Sequence, residues 1–325
     1  MVSRRSISAL RIQPAEYAGF AFLPLKKRLS EPLLCLIQTV DRPFMNHPTS
    51  HERWDRIVKQ SEERLDLAEA ALLIAADEYP DLDVDGYLQR LDELAQAVRH
   101  SLPEEAGLEE TVVALNQFLF VEQGFTGNAE DYYDPRNNFL NDVLDRKLGV
   151  PITLSILYME IGQRLGLPFE GVSFPGHFLV KCATNEGDVV LDPFWGGMPL
   201  SEDDLQDRLE ESCGKSRAAA APLAGLLGTA SKKEILVRML RNLKAIYVKR
   251  EELLKSLGII NRILQVQPDL PEEIRDRGRI YERLECFRPA VADLSRYLDL
   301  APTADDAPDV QHRLVELRQL AANIN

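Results

Sequence analysis

Apolar positions recur at steps of three and four from residue 52 to about 79, with Leu65, Ala68, Leu72 and Ala75 in phase and Pro80 following, which predicts one long helix or two. Residues 84–98 predict a second helix, with Tyr87, Leu88, Leu91, Leu94 and Val98 on one face. A third is expected over 109–122 through Val112, Val113, Leu115, Leu119 and Phe120, closed by Gly124 and Gly127. After a polar, aromatic loop at 128–136, Asn137 or Asn138 is placed to cap a short helix holding Phe139, Leu140, Val143 and Leu144, with Gly149 ending it. Pro151 then suits the first position of a helix running to about Leu165. That helix is apolar almost all round (Ile152, Leu154, Ile156, Leu157, Met159, Ile161), so it belongs at the centre of a domain.

The period then changes. Stretches 170–174, 178–182 and 189–191 read as short strands separated by Pro175-Gly176 and Asn185-Glu186-Gly187. Helices followed by an antiparallel sheet predict an α+β first domain over residues 45–215. The Ala/Gly-rich stretch 216–230 reads as a linker or loosely packed connector, and 231–325 as helical repeats. In the repeat region Tyr247 and Tyr281 lie 34 positions apart, as do Ile260 and Leu294, Leu264 and Leu298, Val266 and Leu300, and Pro268 and Pro302. That is the tetratricopeptide period, in which each helical hairpin needs a neighbour to cover its apolar face. Two units and a final helix near 308–322 are visible.

Charge narrows the choice of partner. A formal net charge of −14 excludes a protein built chiefly to bind nucleic-acid phosphates or anionic membranes. Residues 1–44 run the other way, with seven basic against three acidic residues, which leaves −18 on the remainder. Lys26-Lys27-Arg28 interrupts the apolar stretch there, so an early-assigned start, with Met45 as the true beginning, is preferred to an export or transit signal. Cys35, Cys182, Cys213 and Cys286 are scattered, without CxxC pairs or ligand spacing to histidine, and predict free thiols in the cytoplasm with no structural metal and no cofactor.

The chemistry question falls on residues 149–197. A thiolate nucleophile works best at a helix N-terminus, with a histidine on an adjacent strand and a carboxylate behind it. Here His177 follows Pro175-Gly176, Asp192-Pro193 ends the next strand, and Gly149-Val150-Pro151 opens a helix that finishes in Arg164-Leu165-Gly166-Leu167-Pro168. This order resembles the transglutaminase-like superfamily. The resemblance maps His177 and Asp192 onto the family histidine and aspartate, and places Pro151 where the cysteine belongs. Longer phrases, among them NNFLNDVLDRKLGVPITLSILYMEIGQRLGLP, FPGHFLV, VLDPFWGG, ILVRMLRNLKAIY and AVADLSRYL, resemble the bacterial SirB-type family. That resemblance implies a transglutaminase-like domain joined to tetratricopeptide repeats, with proline usual at the nucleophile position and no settled activity.

Proline at the first helical position loses no intrahelical hydrogen bond, so it keeps the helix while abolishing the thiol. Strand alternation turns Cys182 away from His177. Ser155 lies one turn deeper than Pro151, and Thr153 sits in the first turn as the weak candidate hydroxyl nucleophile. A buried hydroxyl bonded to a carbonyl is the more common use of both. His177 and Asp192 read either as a structural pair, joined through an Nδ1–H to carboxylate bond, or as the floor of a retained binding cleft. Trp195 reads as core or as a ligand platform, Tyr132-Tyr133-Asp134 as a cleft cover or an ordinary turn, and Arg275-Asp276-Arg277-Gly278 as a salt-bridged packing feature. The reading that follows is a non-catalytic interaction or regulatory module with a protein partner. The alternative is a hydrolase or acyl transferase that uses His177 and Asp192 with Thr153 or water.

Overall fold

The computed structural model describes residues 49–214, 218 and 222–322. The readings for residues 1–44, for Met45 and for Cys35 lie outside the described residues.

The first helical stretch is two helices, α1 (Ser50–Ile57) and α2 (Leu67–Ala75). Each has its own N-cap: Thr49 forms a capping box with Glu52, and Asp66 accepts from the Glu69 N–H. α3 spans Val84–Ser101 and α4 spans Leu108–Asn116. The third helix keeps its direction past Asn116 but widens into a π-helical turn, Gln117–Glu122, which re-phases Phe120 and Val121.

Two local expectations fail nearby. Asn137 and Asn138 do not cap the short helix; they lie inside a 3-10 turn, Pro135–Asn138, whose own cap is Asp134. α5 (Leu140–Arg146) starts after Phe139 and ends at Lys147, which takes φ 62°, so Gly149 does not terminate it. Gly149 instead lies in β2 (Leu148–Gly149), paired in parallel with β1 (Thr126–Gly127).

α6 (Pro151–Leu165) begins on Pro151 as expected, and Gly166 closes it at φ 87°. Its first twelve residues are all buried. It packs against α3, the sheet and the 3-10 turn Pro193–Trp195, so it is the axis of the domain. The Tyr158 ring stacks on Phe169 at 4.8 Å and on Phe120 at 5.8 Å, filling the space between α6, the sheet and the π-helical turn.

The sheet is antiparallel in the order β3 (Phe169–Val172), β4 (Leu179–Thr184), β5 (Gly187–Asp192), β6 (Met198–Leu200). β6 is an edge strand of three residues with Pro199 at its centre, too short to leave a period-2 signal. α7 (Glu202–Cys213) lays Leu205 and Leu209 over Val172, Phe174, Leu179 and Val190, a cluster separate from the main core. After a short helix, α8 (Leu223–Leu226), Thr229 bridges Val172 and the Ala230 N–H donates to the Gly171 carbonyl.

The remaining helices are α9 (Lys232–Lys249), α10 (Leu253–Val266), α11 (Pro271–Arg283), α12 (Phe287–Leu300) and α13 (Ala307–Ala322). The 34-residue period is reproduced in backbone detail: Glu251 and Glu285 both adopt φ 58°, and the turns close by Glu252 N–H to Tyr247 O and Cys286 N–H to Tyr281 O. Arg277 forks onto Asp293 at 2.7 and 2.8 Å, and Arg275 bridges Asp276 and Asp306, so that motif packs repeats together as anticipated. Ile235, Leu236, Met239, Leu240 and Leu243 of α9 belong to the same apolar cluster as α2, α3 and α6. The chain is thus an α+β domain followed by an all-α region with the tetratricopeptide period, in the order expected.

Candidate functional site

His177 sits in the turn leading into β4, and Asp192 is the last residue of β5. Asp192 is wholly buried and His177 is 8% exposed. His177 Nε2 lies 3.0 Å from each Asp192 carboxylate oxygen. The bond therefore uses Nε2, not the expected Nδ1, because the ring enters from a turn and meets the carboxylate with its far edge. Nδ1 has no hydrogen-bond partner among the described residues. The His177 ring stands edge-on to Phe194, with centroids 5.8 Å apart.

Asp192 also accepts from the Phe194 N–H at 3.0 Å and forms an ion pair with the Arg208 guanidinium at 2.7 Å. Arg208, on α7, was not singled out from the sequence. The site is consequently a chain of three, Arg208–Asp192–His177, in which a buried carboxylate has a cation on one side and an imidazole on the other. Arg208 lies on α7 and Asp192 on β5, so their ion pair also fastens α7 to the sheet.

Asp192 opens the turn that continues through Pro193, Phe194, Trp195, Gly196 and Gly197. Gly196 and Gly197 take φ 77° and 71°. A Cβ on Gly197 would lie 2.2 Å from Asn116 Oδ1, so glycine is needed there on two counts. Asn116 donates to the Gly197 carbonyl and accepts from the Tyr158 hydroxyl at 2.7 Å, which ties the turn to α6. Trp195 is half exposed, at 50%, and is a rim residue rather than core. Gly127 of β1 runs over the Phe194 ring, where an added Cβ would lie 2.5 Å from it.

The candidate nucleophile positions are otherwise engaged. Pro151 is buried at the first position of α6. The Thr153 hydroxyl is wholly buried, donates to the Asn137 carbonyl at 2.7 Å and accepts from the Val150 N–H; it makes no hydrogen bond to His177. Ser155 Oγ reaches the Phe178 carbonyl at 3.4 Å, which sets the first half of α6 against the residue after His177. Cys182 is packed with Phe178 and Val180 in the main core, whereas Leu179 faces α7, and burial pushes the Cys182 thiol up from its ordinary value.

Tyr132 packs edge-on against Phe194 at 6.5 Å, beside the site, and Tyr133 is exposed with Lys249 of α9 over its ring. Asp134 turns inward: burial works against its charge, but hydrogen bonds and charge from Arg136 and Arg146 outweigh that and hold its carboxyl below the usual range. A separate groove of about 470 Å³ is lined by Glu63, Arg64, Asp92, Glu160, Arg164 and Lys232, among others, at the C-terminal end of α6; neither His177 nor Asp192 lines it. Among the described residues, no group of three or more His, Cys, Asp or Glu side chains is placed to hold a metal ion. No described helix is long and apolar enough to cross a membrane.

Comparison with known proteins agrees with this architecture. The model of the transglutaminase-like superfamily matches residues 85–241, and a tetratricopeptide-repeat model matches 243–315. A UPF0162 protein of Xylella fastidiosa is 40% identical over 264 residues, covering 81% of this chain and 94% of that protein. Protein SirB1 of Salmonella typhimurium is 30% identical over 230 residues, covering 69% of this chain and 81% of that protein. F-box only protein 21 of Pongo abelii is 30% identical over 240 residues, 69% of this chain but 37% of that longer protein. With the paired His177 and Asp192 behind a helix that opens on Pro151, and two 34-residue helical units after it, the chain belongs to the bacterial SirB-type, or UPF0162, family.

Proposed function

We propose that this protein is a non-catalytic transglutaminase-like module of the bacterial cytoplasm that acts by binding a protein partner in a regulatory role. In this reading residues 45–215 supply a retained cleft, 231–325 supply a repeat surface, and 216–230 join them. The observation that carries it is Pro151 at the position where the superfamily's helix presents its thiol. Two further contacts support it. The Thr153 hydroxyl is committed to the Asn137 carbonyl, and Cys182 is sealed in the core with its thiol pushed up. A fold does not confer an activity, and a site without a nucleophile keeps only its shape and its polar groups.

One feature favours a second reading, hydrolysis or acyl transfer with water as nucleophile: His177 is oriented by Asp192 through Nε2, which leaves Nδ1 without a partner. An imidazole held that way has the arrangement of a general base. Turnover of activated esters and model amides by the full chain, compared with a His177→Ala variant, separates the two. The proposal expects identical background rates, whereas turnover abolished in His177→Ala would sink it.

A further inference from the structure

Arg238 is the side chain whose setting the preceding reading does not explain. It lies on α9, part-buried against the turn that carries His177, and its guanidinium donates to Ser173 Oγ at 3.2 Å and, at 3.4 Å, to the His177 carbonyl. Among the described residues, no carboxylate lies within ion-pair distance of it. Arg241, one turn along, adds like charge, and is itself paired with Glu273 at 2.7 Å. Among the described residues every other part-buried arginine around the core has an acid: for example, Arg208 has Asp192, Arg262 has Asp77, Arg164 has Glu160 and Asp92, and Arg277 has Asp293. Burial of a guanidinium without an anion is unfavourable, and it lowers the Arg238 pKa from its ordinary value.

The groups beside Arg238 are also unsatisfied. The Tyr132 hydroxyl has no hydrogen-bond partner among the described residues, and the Arg238 charge acts on that phenol against the effect of its burial. His177 Nδ1 is likewise unpartnered. Tyr132 and His177 both stand edge-on to the Phe194 ring, and Trp195 extends that aromatic wall to the surface. A phenol and an imidazole are thus gathered around one ring, and the guanidinium fork lies beside both, against the His177 carbonyl and acting on the Tyr132 phenol.

We propose that Arg238, with the Tyr132 hydroxyl beside it and the Phe194–Trp195 wall as its rim, is a binding site for a carboxylate presented by a peptide. The proposal rests on the interaction reading above and names the chemistry of that ligand. A planar carboxylate matches the guanidinium fork, and the single uncompensated cation suits a monoanion. A phosphate dianion calls for more positive charge than Arg238 alone supplies, in a chain whose net charge is −14. The aromatic wall supplies apolar area for the residues that flank the carboxylate.

The chain has two tryptophans, so 5-fluorotryptophan labelling of the full protein gives two fluorine signals: Trp195 beside the site and Trp54, 2% exposed under Arg262, as an internal control. The probes are acetyl-Ala-Ala-Phe with a free C-terminus, acetyl-Ala-Glu-Phe-amide, acetyl-Ala-Gln-Phe-amide, and inorganic phosphate. The first two distinguish a terminal from a side-chain carboxylate. We expect at least one of them to move the Trp195 signal saturably, in roughly the millimolar range, with Trp54 unmoved and the glutamine peptide inert. Arg238→Met should weaken that binding at least tenfold, Arg238→Lys less, and Tyr132→Phe a few-fold, with the Trp54 signal reporting that each variant is folded. Binding that persists in folded Arg238→Met, an equal response to the glutamine peptide, no response to either carboxylate, or tighter binding of phosphate would overturn the assignment. Failure here leaves a partner on the repeats untouched, whereas His177-dependent turnover would remove the non-catalytic reading without removing a carboxylate site.

Discussion

Replacing Arg208 with methionine tests whether the Arg208–Asp192–His177 chain is held together by charge. The substitution keeps the aliphatic stem that lies along α7 and removes the guanidinium 2.7 Å from Asp192. Breaking one side of a buried ion pair costs about 3–5 kcal/mol, because the remaining charge stays out of water. Two facts reduce that figure. The Arg208 side chain is 24% exposed, so water can enter when it is truncated, and Asp192 keeps the His177 and Phe194 donors. The expected loss is therefore about 2–3 kcal/mol, or roughly 4–12 °C in the melting temperature of the domain. Urea denaturation of the single variants Arg208→Met and Asp192→Asn and of the double variant completes the cycle. If charge is the cause, Arg208→Met should cost less than about 1 kcal/mol once Asp192 is asparagine, a coupling of more than about 1 kcal/mol. Additivity within about 0.5 kcal/mol would refute the argument and assign the loss to packing of α7.

Two other perturbations are separable by design. Gly197→Ala meets both a left-handed backbone and the Asn116 carboxamide at 2.2 Å, and should cost roughly 2–4 kcal/mol through the loss of the Asn116–Tyr158 tie; Gly196→Ala, with similar φ but its nearest atom 4.0 Å away, should cost only about 1–2 kcal/mol. Equal losses in denaturant titrations would dismiss the steric part of the argument. Glu160, nearly buried beside Arg164, has its carboxyl raised from the usual 4.5, burial outweighing the Arg164 hydrogen bond and charge. A raised folded value means that the native state holds the proton more tightly, so this contribution is fully present below pH 4.5 and is lost as pH rises through the folded value. Between pH 4 and 7 the stability of the parent relative to Glu160→Gln should fall with rising pH, and an increase would reverse the assigned sign.

What the sequence made legible was whatever depends on neighbours in the chain. The repeat period was readable because equivalent positions carry like residues at one offset: Tyr247 and Tyr281, whose carbonyls close the same turn in each unit, lie 34 positions apart. Pro151 and Gly166 bracket α6 for equally local reasons, the fixed φ of proline and the left-handed tolerance of glycine. His177 and Asp192 stood out as isolated polar residues at strand ends. The failures are tertiary. Asn137 is a good cap by type, yet its backbone is taken into a 3-10 turn and its side chain binds the Asp131 carbonyl. Arg208 lies in an acidic amphipathic helix where an arginine attracts no notice, and only the docking of α7 on the sheet brings it to Asp192. Arg238 is hidden the same way among the basic residues of α9. Its meaning comes from the lack of a carboxylate within ion-pair distance among the described residues, which no linear pattern records.

α9 links the two halves of the molecule and limits how they can cooperate. Its apolar face is part of the first core, Arg238 projects toward the His177 turn, and farther along Lys244 is buried between Glu273 and Asp276 of α11, at 2.7 and 3.0 Å. Eighteen residues of uninterrupted helix span about 27 Å. Such a helix fixes the distance between the cleft and the repeats. Allosteric coupling needs an element with two discrete arrangements, and a helix anchored from Ile235 to Tyr247 by the buried core and at Lys244 by a buried lysine–carboxylate cluster is a poor candidate for one. If a partner touches both the repeats and Arg238, the gain then comes from tethering: once the repeats hold one segment, the second carboxylate contact becomes intramolecular, at an effective concentration set by the spacing along α9. A carboxylate site too weak to act alone would be sufficient under that arrangement, and its contribution would vanish for a peptide too short to span the helix.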